Sequence, residues 1–151
     1  MIGLLQRVER AHVECEGVTV GAIGAGLLAL IGVERGDDAP QGERLLERIL
    51  TYRVFADANG RMNLSLDDIG GELLLVPQFT LAADTRKGTR ASFALAAPPE
   101  QGLVLFNELV DYAHSRYPKI ACGRFGAHMR IHLVNEGPVT FWLRVEPGRV
   151  S

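Results

Sequence analysis

The run Leu27-Leu28-Ala29-Leu30-Ile31-Gly32-Val33 is apolar without a break. An amphipathic helix would place polar residues inside such a run, and a half-exposed strand would alternate. A short run with no polar member reads as a central strand buried on both faces. The other elements are read outward from it. Ile2 to Glu14 alternates loosely, with Val8 and Val13, and suits a strand. A turn at Gly17 and a short strand from Val18 to Val20 make the start a hairpin. Gly21, Gly24 and Gly26 then interrupt the pattern.

After the central strand, Asp38 is an N-cap and Pro40 sits in the first turn of a helix, where its missing N–H costs nothing. Leu45, Leu46, Ile49 and Leu50 recur at helical spacing and form the buried stripe. Val54 to Ala56 is a short strand, ended by the turn Asp57-Ala58-Asn59-Gly60. Gly70-Gly71 marks another turn before a strand over Glu72 to Phe79. Residues 82 to 98 read as a long polar loop, a feature often functional in a compact domain. A second helix starts near Pro98-Pro99-Glu100, with Leu103, Phe106, Val110 and Ala113 as its buried face and Pro118 beyond its end. Met129 to Asn135 and Val139 to Val145 close the chain as a hairpin turning at Glu136-Gly137-Pro138. The order β-β-β-α-β-β-α-β-β predicts a mostly antiparallel α+β domain with two helices.

At 151 residues the chain is expected to be a single domain over 1–151. Its 47% hydrophobic and 23% charged residues exclude a disordered chain or a disulfide scaffold. The longest apolar runs are too short to span a bilayer. Met1-Ile2-Gly3-Leu4-Leu5-Gln6-Arg7 has no signal-peptide pattern. Cys15 and Cys122 lie far apart, read as reduced thiols and point to a cytoplasmic protein. Neither has a ligand partner at zinc spacing. The net charge of −2 gives no general attraction to nucleic acid. Contact with it must be local, and two basic clusters qualify: Arg7 with Arg10, and Arg86, Lys87 and Arg90.

Familiar catalytic arrangements are missing. His12, His114, His128 and His132 lie in no motif with a nucleophile, and there is no Gly-x-Ser-x-Gly elbow. His128 and His132 are four apart but fall on strand or turn, which makes a poor zinc pair. Gly21-Ala22-Ile23-Gly24-Ala25-Gly26 has no helix after it and fails as a dinucleotide loop. Asp37-Asp38 and Asp67-Asp68 sit beside turns, where aspartate caps.

Two segments stand out. Pro77-Gln78-Phe79-Thr80-Leu81 puts a glutamine and a hydroxyl at the end of an apolar strand. Asn135-Glu136-Gly137-Pro138-Val139-Thr140 places Gly-Pro between two strands. A Gly-Pro bond admits the cis form, which aims its neighbouring carbonyls where a trans bond does not.

With these segments the sequence resembles the D-aminoacyl-tRNA deacylases. The resemblance covers nearly the whole chain. It runs through Met1-Ile2, Gln6-Arg7-Val8, Gly21, Gly24-Ala25-Gly26-Leu27-Leu28 and Gly32-Val33. It continues with Arg61-Met62-Asn63-Leu64, Gln78 to Thr85, Gly123-Arg124-Phe125-Gly126-Ala127 and Asn135 through Trp142. The family's Asn-x-Gly-Pro-x-Thr signature is intact at Asn135, Gly137, Pro138 and Thr140. Its Ser-Gln-x-Thr-Leu signature departs at Pro77, which stands where serine is usual. A relaxed-specificity paralogue, which removes some misattached L-amino acids, also has proline there; Phe79 and Arg7 match the D-specific type instead.

The resemblance implies a barrel-like sheet and hydrolysis of the ester joining a D-amino acid to tRNA, with glycyl-tRNA as a second substrate. It implies a cytoplasmic homodimer in which Gly137 and Pro138 of one subunit act in the pocket of the other and exclude L side chains, with Arg7 bracing them. Gln78, Phe125 and Met129 line the pocket by family analogy. Backbone amides near Phe79 and Thr80 stabilise the oxyanion, and the substrate's own 2′-hydroxyl helps activate water. Thr80 is a candidate nucleophile, but no base stands beside it, and positioning fits it better. Arg86, Lys87 and Arg90 would meet tRNA phosphates. No metal, cofactor or membrane is implied. A non-catalytic binder of tRNA ends is the alternative from another class.

Overall fold

The computed structural model describes residues 1–148. The expected domain 1–151 thus extends three residues, 149–151, outside the described residues. Its strands are β1 (Ile2–Cys15), β2 (Val18–Ile23), β3 (Gly26–Gly32), β4 (Phe55–Ala56), β5 (Met62–Leu64), β6 (Glu72–Pro77), β7 (Ile120–Cys122) and β8 (Arg130–Arg144). Its helices are α1 (Ala39–Thr51), α2 (Leu66–Ile69) and α3 (Pro99–Arg116), with a 3₁₀ turn at Phe79–Ala82. The architecture is α+β, as expected, with the short α2 added to the two expected helices.

The long strand β1 organises the main sheet. One of its edges pairs antiparallel with β3 through Ile2–Val8 and then with β2 through Ala11–Cys15. Its other edge pairs antiparallel with β8 along nearly its whole length. From β3 the sheet continues through β6 and β7, both parallel. It then curls until β2 approaches β7. A Cβ on Gly21 would fall 2.6 Å from the Cys122 carbonyl oxygen, so glycine is what lets the two strands close the barrel. Gly21 therefore lies within β2, which runs three residues beyond the expected end at Val20.

β3 is covered on both faces. Leu27, Ala29 and Ile31 face α1 and α3, packing with Leu45, Leu46, Ile49, Leu50, Leu105, Phe106 and Leu109. Leu28 and Leu30 face the barrel interior with Val8, Val13, Leu74 and Val76. The period-2 alternation of a strand divides one apolar run between two cores. α1 begins as read: Asp38 caps it, and Gln41 returns a bond to the cap amide at 2.7 Å.

Three readings are corrected. The closing hairpin does not form. Thr140 pairs with Gln6 and Asn135 with Val8, so both halves of β8 run along the same partner without reversing. Residues 136–139 are an excursion opposite Arg7, a large bulge with chain continuing on the same line. On α3 the buried residues are Gly102, Leu105, Phe106, Leu109 and Ala113, whereas Leu103 is exposed and Val110 half-buried. β6 stops at Pro77 because the chain enters the 3₁₀ turn at Phe79. Among the described residues, no helix is long and apolar enough to cross a membrane.

Candidate functional site

β3, β6 and β7 are parallel, so the segments that follow them leave the same edge of the sheet. Carboxyl ends of parallel strands are where such segments commonly build a site. Here they enclose a cleft of about 450 Å³. Ile31 and Val33 come from the end of β3, Pro77, Gln78 and Phe79 from the end of β6, and Phe125 to Met129 from beyond β7. Gly102 and Phe106 at the start of α3 close the side. The lining is mainly apolar, with Gln78 and His128 as its polar side chains.

Each wall is fixed by local bonds. The Gln78 amide donates to the Ile31 carbonyl at 2.7 Å, extending the β3–β6 ladder by one bond before the chain turns. The Gln78 carbonyl accepts from the Leu81 amide at 3.3 Å. The amides of Phe79 and Thr80 therefore precede the first bond of the turn. The Thr80 hydroxyl donates to Gln78 Oε1 at 2.5 Å. The exposed Phe79 ring packs against Phe93, centroids 5.1 Å apart. Phe125 packs against Phe106 at 6.2 Å. The Met129 sulfur accepts from the Arg124 amide at 3.4 Å.

Gln78, Phe79, Phe125 and Met129 thus meet in one cleft, with Thr80 next to Gln78 but outside the lining. His128 also lines it, although sequence reading gave it no role; its place between Phe125 and Met129 was the available signal. The Cys122 thiol is pushed up by burial, which opposes the thiolate form a nucleophile needs.

Gly137 and Pro138 do not line the cleft of their own chain. They are exposed in the β8 excursion, joined by a cis peptide. Its base is pinned by the signature residues. Asn135 Nδ2 donates to the Arg7 carbonyl at 2.9 Å and to the Val139 carbonyl at 3.0 Å. The Thr140 hydroxyl donates to Asn135 Oδ1 at 3.3 Å. Arg7 Nε donates to the Glu136 carbonyl at 3.2 Å, and its Nη1 to the Val54 carbonyl at 2.7 Å.

The long loop is ordered by Asp84. Its backbone exchanges bonds with Ser92 at 2.7 and 3.0 Å. Its carboxylate accepts from Arg86 Nε and Nη2 at 2.9 and 2.6 Å and from the Arg86 amide at 3.0 Å. The Arg86 side chain and amide hold the Asp84 carboxyl down to about 2. Of the three basic residues expected to act together, Arg86 is thus engaged in the loop, while Lys87 and Arg90 are exposed and form no ion pair within the described residues.

A family model for D-Tyr-tRNA(Tyr) deacylase matches residues 4–144. The chain belongs to this deacylase family. A D-aminoacyl-tRNA deacylase of Thioalkalivibrio sulfidiphilus is 66% identical over 99% of this chain and 100% of its own length. One of Alkalilimnicola ehrlichii is 65% identical over 97% and 98% respectively. A solved structure of a c-Myc DNA unwinding element binding protein superposes with TM-score 0.92 at 37% identity, covering 97% of this chain and 99% of that one. The structure of a probable eukaryotic D-amino acid tRNA deacylase has TM-score 0.75 at 17% identity over 94% and 97%, a likeness of fold alone. The family match spans both the cleft residues of the deacylase and its braced Gly137-Pro138 segment.

Proposed function

We propose that the chain hydrolyses the ester bond of D-aminoacyl-tRNA, releasing the free D-amino acid and tRNA. The observation that carries this reading is the cleft at the ends of β3, β6 and β7, which gathers Gln78, Phe79, Phe125 and Met129 in a member of the deacylase family. An apolar cleft with few polar groups suits the aminoacyl end of a tRNA better than the whole duplex. The exposed Lys87 and Arg90 lie in the loop that follows the Phe79 turn and meet phosphates of the acceptor stem.

In this reading the protein orients the ester and water, and supplies no side-chain base. The amides of Phe79 and Thr80 receive the charge that develops on the carbonyl oxygen. Thr80 holds Gln78 through its hydroxyl and positions it, without forming a covalent intermediate. The substrate's 2′-hydroxyl assists the attacking water. The carbonyl carbon passes through a tetrahedral state, and the ribose oxygen leaves with a proton.

Chirality is read by a second copy of the chain. Gly137 and Pro138 of one subunit enter the cleft of its partner in a homodimer. Their carbonyls receive the substrate's amino group, and their backbone fills the space an L side chain would need. Arg7 and Asn135 keep this element in place. Glycine has no side chain to exclude, so glycyl-tRNA is also cleaved. The chain acts in the cytoplasm as one domain.

The test is cleavage of D-tyrosyl-, L-tyrosyl- and glycyl-tRNA by the purified protein. Cleavage of the D and glycyl esters with the L ester spared is expected. Comparable cleavage of the L ester would instead assign the relaxed paralogue's specificity, and binding without cleavage a non-catalytic role.

A further inference from the structure

Three metal-ligating side chains meet on the sheet face opposite the cleft. His12 and Glu14 are two apart on β1, so both side chains leave one face. His132 on β8 stands directly across from His12 in the ladder. Its neighbour Ile131 turns the other way and lines the cleft. Glu14 Oε1 lies 3.2 Å from His12 Nε2 and 3.5 Å from His132 Nε2. One ligand atom from each residue lies within 4.8 Å of the other two.

These separations suit a small ion. Zinc–nitrogen and zinc–oxygen bonds of about 2.0–2.2 Å at a tetrahedral angle set ligand atoms about 3.3–3.6 Å apart. The His12–Glu14 and Glu14–His132 edges are already close to that length. The imidazole rings stack, with centroids 4.3 Å apart and planes within 4°. The third edge, between the two imidazoles, is no longer than 4.8 Å, and the His132 side chain is half exposed, at 50%.

We infer that His12, Glu14 and His132 bind one divalent transition-metal ion of the Zn²⁺ type, clipping β1 to β8. Two imidazoles and a carboxylate form a His₂Glu set, which leaves a fourth position for water. Imidazole nitrogen favours Zn²⁺, Co²⁺, Ni²⁺ and Cu²⁺ over Mg²⁺ and Ca²⁺, which prefer oxygen alone. Nearby cations leave the carboxylate accessible: Arg130 stands across from Glu14 without an ion pair to it, and Arg10 pairs with Glu9 at 3.6 Å. Linear spacing hides the site, since its ligands come from strands at opposite ends of the chain. It shares no residue with the cleft and stands independently of the deacylase reading.

The experiment is calorimetric titration of the chelator-stripped full chain with ZnCl₂, repeated with Co²⁺ as a spectroscopic probe. One Zn²⁺ per chain is expected, with a Kd on the order of micromolar. Co²⁺ is expected to give the visible absorption of a four- or five-coordinate centre. Glu14→Gln and His132→Asn each weaken affinity about tenfold or more, while His114→Asn, on α3, leaves it unchanged. Metal-free melting curves matching the parent's show that both site variants are folded. Affinity weaker than millimolar in the parent chain, or affinity in both site variants unchanged from the parent's, would overturn the proposal.

Discussion

Arg7 and Asn135 brace each other across the β1–β8 ladder. Asn135 donates its side-chain amide to the Arg7 carbonyl at 2.9 Å, and Arg7 donates its guanidinium to the carbonyl of Glu136, the residue after Asn135, at 3.2 Å. The Gly137-Pro138 excursion is thus held at its base from both strands. The Arg7 side chain is only 15% exposed, and its bond to the Val54 carbonyl is part-buried, whereas the one to Glu136 is open to solvent.

Replacing Arg7 by Ala removes both of those bonds. Hydrogen bonds from a charged group are worth about 1.5–3 kcal/mol each. Arg7→Ala is expected to destabilise the chain by about 3 kcal/mol or more and to lower discrimination between D and L esters. Arg7→Lys is expected to restore little, because an ammonium cannot reach two carbonyls with a planar fork. Urea unfolding and paired ester assays measure the two effects.

Gly137 has φ of +131°, and a Cβ there would meet the Val139 amide nitrogen at 2.9 Å. Gly137→Ala must therefore shift the excursion. The segment lies outside the ladder, so melting is expected to change by only a few degrees. Misplacement at a reacting centre costs about 10²-fold, and deacylation of the D ester is expected to fall by about that factor. A melting curve and kcat/KM on the same preparation separate the two.

Thr80 offers a test of covalent catalysis. Its hydroxyl is committed to Gln78 at 2.5 Å. Thr80→Val is expected to lower kcat about tenfold, the scale of lost positioning, and single-turnover assays of the parent should trap no acyl-enzyme. A loss of about 10⁴-fold or more, with an acyl adduct on Thr80, would make it the nucleophile.

Patterns with a local cause were legible in the sequence. The unbroken apolar run from Leu27 to Val33 named the strand buried on both faces, and Asp38 with Pro40 named the start of α1. The β8 excursion was misread because Gly-Pro between two apolar runs has the same local chemistry in a turn and in a bulge. Whether the chain reverses depends on which strand pairs with each half, and here both halves pair with β1. The face of α3 was misjudged at Leu103 because Gly102 and Leu105 set the packed side. β7 is three residues long and carries no periodicity of its own. The cleft residues followed from family motifs, whereas the His12–Glu14–His132 cluster arises from strand register, which linear spacing does not contain.

Asp84 sets the acid behaviour of the long loop. Its folded value is lowered from 3.8 to about 2 by hydrogen bonds from Arg86. Its contribution is therefore full above 3.8 and is lost as pH falls through about 2. A carboxyl NMR titration is expected to show a midpoint near 2 for Asp84. Asp84→Asn is expected to loosen the loop at neutral pH, so trypsin cuts after Lys87 and Arg90 several-fold faster.

The most direct measurement is the ratio of kcat/KM for D-tyrosyl- and L-tyrosyl-tRNA, on the same tRNA, for the parent chain and for Pro138→Ala. The account predicts a large D over L preference that collapses in the variant because the L ester becomes a substrate. Equal cleavage of both esters by the parent, or an unchanged ratio in the variant, would contradict it.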